Sequence, residues 1–463
     1  MQVAMVRSIA VLNVASGHRE AENRLPGNKE EKEIMGIKRR SAVFIVTILI
    51  CLSGVSVGFS QMRWLPNSER EALAERPSPY RQWLSQEGVP VYEGFAIDDL
   101  KELELKLNKR LGVPTAYVLL EGTGNLVDAM VVEIPVGQSS RPEQHIFEEQ
   151  MMILSGEGET VIWQSDGKKH TVRWKRGSIF APPLNAWHQH TNTGQQSVKF
   201  VTITFAPMIM DIYRDNDFVF NNPYDFTKRY SGQENYFDPE IAQDYPPAND
   251  HSLSIVNFVK NAFSIRLFAS GQGVDDLCRH FVLSDNMMGI HIEEFPVGTY
   301  ERAHWHGPGT SLLFMEGSGH TLMWPRELGK TPFADGKEDK ITRINWKWGS
   351  LIVPPLGWYH QHFNTGDVGA RWVKLGTPPG NRIYHTTTGL WTSTSGGLIR
   401  FSEEDPKVRE MFIEDLAKHG GHMEMPPMGE LIAVEAEAEK HYDRSKVPST
   451  QWPPMRLPTY TAE

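Results

Sequence analysis

Short runs of apolar residues, interrupted by glycine and proline, recur along most of the chain. Typical runs cover Ala129–Ile134, Gln150–Leu154 and Val198–Phe205, and polar turns such as Ser165–Lys169 separate neighbouring runs. Runs of this length that are bounded by turn residues predict β-strands. Many short strands predict a barrel or a sandwich, so the expected fold class is all-β.

Helical patterns occur only outside these runs, roughly over Ile97–Leu111 and Pro406–Lys418. In the second pattern Asp405 is the expected N-cap, proline occupies the first turn, and the glycine pair at 420–421 ends the helix. We expect this helix to pack its apolar face on the neighbouring barrel.

A sequence repeat divides the chain into two related halves. The segment EIPVG at 133–137 recurs as EFPVG at 294–298, and GSIFAPPLNAWHQHTNTG at 177–194 recurs as GSLIVPPLGWYHQHFNTG at 349–366. Repetition of this length predicts two copies of one fold. The predicted segments are a signal peptide or N-terminal anchor (1–60), a first barrel (77–206), a structured linker (207–270), a second barrel (271–400), and a helix with a tail (401–463).

The N-terminal segment predicts export. Residues 41–60 are uncharged and largely apolar, and they directly follow Lys38, Arg39 and Arg40. We expect Met35 to be the true start, since the preceding residues are polar and unpatterned. The expected location is periplasmic or secreted; if the segment stays uncleaved, residues 41–58 would be a membrane anchor.

Charge and cysteine content narrow the function classes. The formal net charge is -10, and no dense run of Lys or Arg lies in the predicted folded part, which argues against nucleic acid as a partner. A small-molecule substrate is the expected partner, and assembly into a homo-oligomer stays open. The cysteines are Cys51 and Cys278, so the exported chain would hold no internal disulfide.

The second half carries a pattern of glycine, histidine and proline at fixed spacing. Its members are Gly298, His304, His306, Gly317, Gly349, Pro355, Gly357, His360 and Asn364. They resemble the two-part signature of the cupin superfamily, G(X)5HXH(X)3-4E(X)6G followed by G(X)5PXG(X)2H(X)3N. The resemblance implies a double-stranded β-helix (jelly-roll) barrel in each half, hence a bicupin, with a few flanking helices.

Three histidines of this pattern are candidate metal ligands. His304 and His306 lie two apart, so on a strand they share one face, and His360 comes from a later strand. Three imidazoles suit a divalent transition metal, with Fe(II) favoured and Mn, Cu, Ni or Zn as alternatives. Thr310 stands where the signature has glutamate, which would leave open coordination positions. The alternative is a set of polar histidines at the barrel mouth.

The first half matches the same signature at a different set of positions. Matching residues are Gly137, His145, Glu149, Gly156, Gly177, Pro183, His188 and Asn192, whereas Glu143 replaces the first histidine and Asn185 the last glycine. Glu143, His145, Glu149 and His188 would form a carboxylate-rich metal site favouring Mn or Fe, or else a solvated rim.

Each half also contains a His-Gln-His triplet, which places His190 and His362 on the same strand face as the expected ligands. Either histidine would orient a ligand or pass a proton, or would hydrogen-bond to a barrel strand. Aromatic residues surround the second candidate site: Trp305, Trp358, Tyr359, Phe314 and Trp348. They suit an aromatic substrate, although barrel cores collect such residues as well.

The chain looks similar to uncharacterised bicupins labelled ethanolamine ammonia-lyase activating proteins, a label that implies little chemistry. The leading hypothesis is a non-haem metal-dependent dioxygenase acting on a small aromatic or enolic substrate. One alternative is a non-catalytic cupin that binds a metal or small ligand. A further alternative is an oxalate-decarboxylase-like lyase, which the absence of glutamate at Thr310 disfavours.

Overall fold

The structure is a computed structural model that describes residues 78–239, 243–248, 251–269, 274–305, 310–377 and 397–441. The predicted signal segment 1–60, the anchor 41–58 and the expected start at Met35 lie outside the described residues, and so does His306. Within the described ranges, no helix combines the length and the apolar character needed to cross a membrane.

The first half of the described chain forms two mainly antiparallel sheets. Its strands are β1 (Val91–Gly94), β2 (Ala96–Ile97), β3 (Lys106–Leu107), β4 (Pro114–Leu120), β5 (Asp128–Ile134), β6 (Glu149–Ser155), β7 (Glu157–Trp163), β8 (Lys169–Lys175), β9 (Ile179–Phe180), β10 (Trp187–Asn192) and β11 (Val198–Thr204). The larger sheet has the order β1-β4-β5-β11-β6-β9, with β3 beside β4, and the smaller has the order β10-β7-β8.

The second half repeats this arrangement. Its strands are β12 (Gln243–Ala248), β13 (His251–Val256), β14 (Phe258–Val259), β15 (Phe268–Ala269), β16 (Leu277–Leu283), β17 (Gly289–Phe295), β18 (Ser311–Glu316), β19 (Gly319–Pro325), β20 (Thr342–Trp346), β21 (Leu351–Ile352), β22 (Trp358–Asn364) and β23 (Ala370–Thr377). The larger sheet runs β12-β13-β16-β17-β23-β18-β21 and the smaller runs β20-β19-β22. The predicted all-β fold with two barrels is confirmed.

The two halves exchange short strands. Ala96–Ile97 pairs with Ile352 and Leu351 of β21 in the second larger sheet, and Phe258–Val259 pairs with Phe180 and Ile179 of β9 in the first. Each larger sheet therefore includes a strand from outside the segment predicted for its barrel. The other predicted segment boundaries remain predictions.

Five helices lie beside the sheets in the described chain: α1 (Pro79–Glu87), α2 (Ala206–Tyr213), α3 (Asn216–Phe220), α4 (Pro406–Lys418) and α5 (Met428–His441). Helix α4 has the predicted bounds, and the side chain of Asp405 accepts a hydrogen bond from the backbone N–H of Lys407 at 3.1 Å. Its residue Phe412 contacts the rings of Tyr300 and Phe363, at centroid distances of 5.2 and 5.6 Å. The predicted packing of this helix on the second barrel is confirmed.

The helix predicted over Ile97–Leu111 is wrong. Part of β2, a single 3-10 turn at Leu100–Glu102 and strand β3 occupy this segment instead. Leu103, Leu105 and Leu107 alternate with polar residues, which is the period of a strand. The first two pack partly buried against the core, whereas Leu107 is 65% exposed. The clustered leucines therefore gave a false helical pattern.

Candidate metal centres

Two buried histidines of the first barrel have a tautomer that suits metal binding. His145 Nδ1 lies 2.9 Å from the carbonyl oxygen of Phe147, and His188 Nδ1 lies 3.0 Å from that of Ala186. A carbonyl oxygen can only accept a hydrogen bond, so each Nδ1 carries the ring hydrogen. In the neutral ring the lone pair then lies on Nε2, which is the usual arrangement in metal-ligating histidines.

These Nε2 atoms face the carboxylates of Glu143 and Glu149. His145 Nε2 lies 3.2 Å from Glu149 Oε2, and His188 Nε2 lies 3.7 Å from Glu149 Oε2 and 3.8 Å from Glu143 Oε1. His188 Nε2 is buried and has no hydrogen-bond partner among the residues that the structure describes. Only the pair His145 and Glu149 lies within hydrogen-bonding distance among these contacts. His188 Nε2 and the two carboxylates otherwise face one another as acceptors, which fits a bound cation.

The charged groups of the site favour a bound cation. Burial alone would raise the pKa of Glu143, but Arg110 and the nearby histidines lower it to about 2. The pKa of Glu149 is also lowered against the effect of burial, by its hydrogen bond with His145. Burial lowers the pKa of His188, which keeps that ring neutral. Arg110 offsets one of the two carboxylates, so the site keeps an excess of negative charge.

His190 differs from its neighbours on β10. It forms a second possible ligand group with Glu143 and His188, whose donor atoms lie within 4.8 Å of one another. Its Nδ1 lies 2.7 Å from Thr160 Oγ1, which also accepts the indole N–H of Trp174 at 2.8 Å. We expect the Thr160 hydroxyl to donate to Nδ1, which would place the ring hydrogen of His190 on Nε2. In that tautomer His190 is a hydrogen-bond donor rather than a ligand.

A cavity of about 20 Å³ adjoins this site, with Arg110, Asp128, Glu143 and Glu149 in its wall. A cavity of this size has room for about one water molecule. Trp83 of α1 forms part of its wall and stacks on Phe220 of α3, with 5.4 Å between the ring centroids. In this conformation the cavity admits only a very small ligand.

Asp128 predicts a pH dependence of stability. It accepts hydrogen bonds from Tyr80 Oη and Thr204 Oγ1, both at 2.5 Å, yet burial raises its pKa to about 6. Between pH 4 and 6, roughly the interval separating the ordinary and raised pKa values, the folded chain holds a proton that the unfolded chain has lost. The free energy of unfolding of the metal-free protein should therefore fall by up to about 3 kcal/mol as pH rises through this interval.

Urea unfolding in the presence of a chelator, at several pH values, measures this effect. Asp128→Asn should remove the part of the decline that Asp128 causes, whereas the buried Glu404, whose pKa is raised to about 7, should still contribute. An Asp128→Asn protein with the parent's pH profile would show that another group causes any decline.

In the second barrel, two of the three predicted ligands lie together. The ring centroids of His304 and His360 are 4.3 Å apart, and their backbones exchange hydrogen bonds of 3.0 and 2.8 Å. Their Nδ1 atoms lie 3.0 Å from Arg302 O and 3.3 Å from Trp358 O, which again places the lone pairs on Nε2. Since His306 is outside the described residues, the predicted three-histidine site stays a prediction.

The turn before each later ligand strand has the same backbone conformation. Gly357 has φ +70°, and Asn185 at the corresponding place in the first barrel has φ +59°. Asparagine tolerates this left-handed region better than most residues. Asn185 also donates from Nδ2 to the carbonyl oxygens of Asn222 and Tyr224, so its replacement of glycine leaves the turn intact.

Sequence reasoning missed a buried charged cluster in the second barrel. Lys374 Nζ lies 2.9 Å from Glu293 Oε2, and both residues are buried. Glu301 Oε1 lies 3.4 Å from Nε2 of His362, which is the second histidine of the His-Gln-His triplet at 360–362. Burial raises the pKa of Glu301 well above its ordinary value, against the lowering effect of Lys374. A lysine inside the apolar run of β23 was the signal available in the sequence.

The aromatic residues around the second site pack against protein neighbours. Phe314 stacks on Trp346 with 4.2 Å between centroids, and Trp358 lies 5.8 Å from Phe95. The remaining contacts are Arg326 over Trp305 at 4.2 Å, Trp324 beside Tyr359 at 5.6 Å, and Phe263 beside Trp348 at 5.3 Å. These contacts favour the packing interpretation of the rings over an aromatic substrate pocket.

Comparisons with known proteins bear mainly on the first barrel. Residues 130–204 match the sequence profile of the Cupin domain family. A search of curated proteins found no match.

Similar solved structures include two oxalate decarboxylases. The enzyme from Bacillus subtilis has 12% identity, with 62% of this chain and 77% of that chain covered and a TM-score of 0.39. The enzyme from Lactobacillus farciminis, in a formate complex, has 12% identity, coverage of 61% and 86%, and a TM-score of 0.39. At these values the likeness tells nothing about the substrate or reaction of this chain. The strand order of the two halves shows two barrels of the same fold, and the first contains a cupin domain at residues 130–204.

Proposed function

We propose that the protein is a metal-dependent enzyme whose first barrel binds one divalent ion through Glu143, His145, Glu149 and His188. One observation carries this proposal: the buried Nε2 atom of His188 lies between the carboxylates of Glu143 and Glu149, and it has no hydrogen-bond partner among the described residues. Such an arrangement is costly in an empty barrel, because buried acceptors lose their hydrogen bonds to water.

The donor set favours Mn(II) or Fe(II). Two carboxylate oxygens and two imidazole nitrogens suit these harder ions better than they suit copper, which prefers softer or more nitrogen-rich sites. The excess negative charge of the site adds to this preference. A bound ion would supply Lewis-acid or one-electron chemistry, with coordination positions left for a substrate.

The cavity and its charged wall favour a small carboxylate or related oxyanion as the substrate. The volume of about 20 Å³ excludes an aromatic ring unless α1 or α3 moves. The guanidinium of Arg110 lies beside Glu143 and 3.2 Å from the Tyr117 hydroxyl. This partly exposed cation would pair with an anionic substrate group, and Asp128 in the same cavity wall would give or take a proton.

A second candidate is the dioxygenase predicted at the second barrel. The tautomers of His304 and His360, with both lone pairs on Nε2, support a nitrogen-rich metal site there. A three-histidine site would leave positions for dioxygen and a chelating substrate.

Turnover assays on the purified protein, loaded with Mn(II) or Fe(II), test these candidates. We expect CO₂ release or O₂ uptake with a panel of small mono- and dicarboxylates, abolished by His188→Ala and retained by His360→Ala. O₂ uptake with phenols or diketones that only His360→Ala abolishes would instead assign the function to the second barrel. Bound metal without turnover on either panel would favour the non-catalytic alternative.

We also propose that the protein is exported. The support is the apolar segment 41–60 after three basic residues. N-terminal sequencing of the protein isolated from its native cells would show whether the segment is removed.

A further inference from the structure

The strand that carries Glu149 is bonded to both barrels. The side chain of Glu149 points toward the first metal site, whereas Glu148 and Gln150 bond to the second barrel, as expected from the alternation of a strand. Gln150 donates to Met288 O at 3.0 Å and accepts from the Gly376 N–H at 2.9 Å. It therefore connects β6 to two separate elements of the second barrel.

The turn between β16 and β17, residues 284–288, makes the remaining contacts. The carboxylate of Glu148 accepts the backbone N–H groups of Met287 and Met288, at 3.0 and 3.1 Å. Asn286 Nδ2 donates to the carbonyl oxygen of Glu149 at 3.2 Å. Asn286 Oδ1 accepts from Arg229 at 2.7 Å, which fixes the orientation of the amide.

The conformation of this turn is specified locally. Ser284 and Asp285 have φ values of +53° and +57°, and the Asn286 N–H donates to Leu283 O at 2.9 Å. Two consecutive left-handed residues with this bond are typical of a type I′ hairpin turn. Asn286 is only 4% exposed, so its contact with Glu149 lies in a buried interface.

We propose that Asn286 is a positioning residue for the first metal site, through which the second barrel holds the ligand strand of the first. The inference rests on the proposed metal site at Glu143, His145, Glu149 and His188. Because the amide of Asn286 fixes the backbone at Glu149, its loss lets the carboxylate leave the geometry that the ion requires. By linkage, a metal in the first barrel also stabilises the contact between the barrels.

Mn(II) binding to the full chain tests this inference, in a His360→Ala background that limits binding to the first barrel. Adding Asn286→Ala should raise the Kd for Mn(II) about tenfold and change the EPR spectrum of the bound ion, as loss of an outer partner does in other sites. Gln150→Leu, which breaks the neighbouring contacts, should act in the same direction. All measurements are made well below the unfolding temperature of each variant.

A matched control separates positioning from stability. Leu416→Ala creates a cavity under α4, far along the chain from β6, and should lower the unfolding temperature while the Kd and spectrum stay unchanged. Parent-like Kd and spectra in both Asn286→Ala and Gln150→Leu would overturn the inference. Failure of the proposed site itself is distinguishable, since the His360→Ala parent would then bind no Mn(II).

Discussion

Replacing His188 with alanine should remove one equivalent of bound metal per chain. His188 Nε2 faces both Glu143 and Glu149, so no other group of the site can take its place. Since loss of an outer partner alone costs roughly 10–100-fold in affinity, loss of this ligand should raise the Kd for Mn(II) by more than about 100-fold. Metal analysis and titration of Mn(II) into the metal-free protein measure both quantities.

His190→Ala is the matched control, because His190 lies two residues along the same strand and is equally buried. We expect its Nδ1 to accept from Thr160, so that Nε2 carries hydrogen and offers no lone pair to the ion. The variant should keep its metal, with a Kd within about tenfold of the parent. Equal loss of metal in both variants would show that His190 is a ligand, and that the tautomer deduced from Thr160 and Trp174 is wrong.

Replacing Lys374 with methionine should destabilise the second barrel by about 3–5 kcal/mol, because it removes the cation that faces the buried carboxylate of Glu293. Lys374 is 2% exposed, and its Nζ lies 2.9 Å from Glu293 Oε2. Trp372 Nε1 donates to the same oxygen at 2.8 Å, and His291 Nε2 lies 3.3 Å from Glu293 Oε1, so these two contacts would survive. Urea unfolding of the metal-free protein at neutral pH measures the loss.

Lys199→Met provides the comparison on the first barrel. Its ion pair with Glu133 is 3.5 Å long and partly exposed, so its loss should cost no more than about 1 kcal/mol. The double variant Lys374→Met with Glu293→Gln should recover part of the stability, since the unpaired charge is gone. A Lys374→Met protein as stable as Lys199→Met would mean that water reaches Glu293.

Much of the fold could be predicted from the sequence, because its signals are local. Apolar runs bounded by turn residues gave the strands, and Asp405, a proline in the first turn and the glycine pair at 420–421 gave helix α4. The false helix over Ile97–Leu111 shows the limit. There, five leucines satisfied a helical pattern loosely, whereas the chain forms part of β2, a 3-10 turn and strand β3, with Leu103 and Leu105 packed against the core and Leu107 exposed.

The candidate ligands also followed from spacing, but their chemistry did not. The structure groups His145, Glu149 and His188, all buried, and places the partly exposed Glu143 beside His188. The contact that we expect to separate His188 from His190 is the one with Thr160, thirty residues earlier in the chain than His190. Spacing along β10 treats the two histidines alike, so only the folded contacts could distinguish a ligand from a donor.

Residues that act across the fold were the hardest to predict. Glu301 lies beside His362, and Asn286 lies beside Glu149, although neither belongs to the cupin signature. Both contacts depend on which strands become neighbours in space, and sequence periodicity does not contain that information. A buried lysine such as Lys374 is different, because a charge within an apolar strand already indicates a buried partner.

The most direct test of the first-barrel metal site is anomalous X-ray scattering from crystals of the Mn(II)-loaded protein. We expect an anomalous peak enclosed by Glu143, His145, Glu149 and His188, with nitrogen–metal distances of roughly 2.0–2.2 Å by analogy with His-bound zinc. Arg110 should stay beside Glu143, on the side away from the ion. Fully loaded crystals that show a peak elsewhere and none among these four residues would contradict the account.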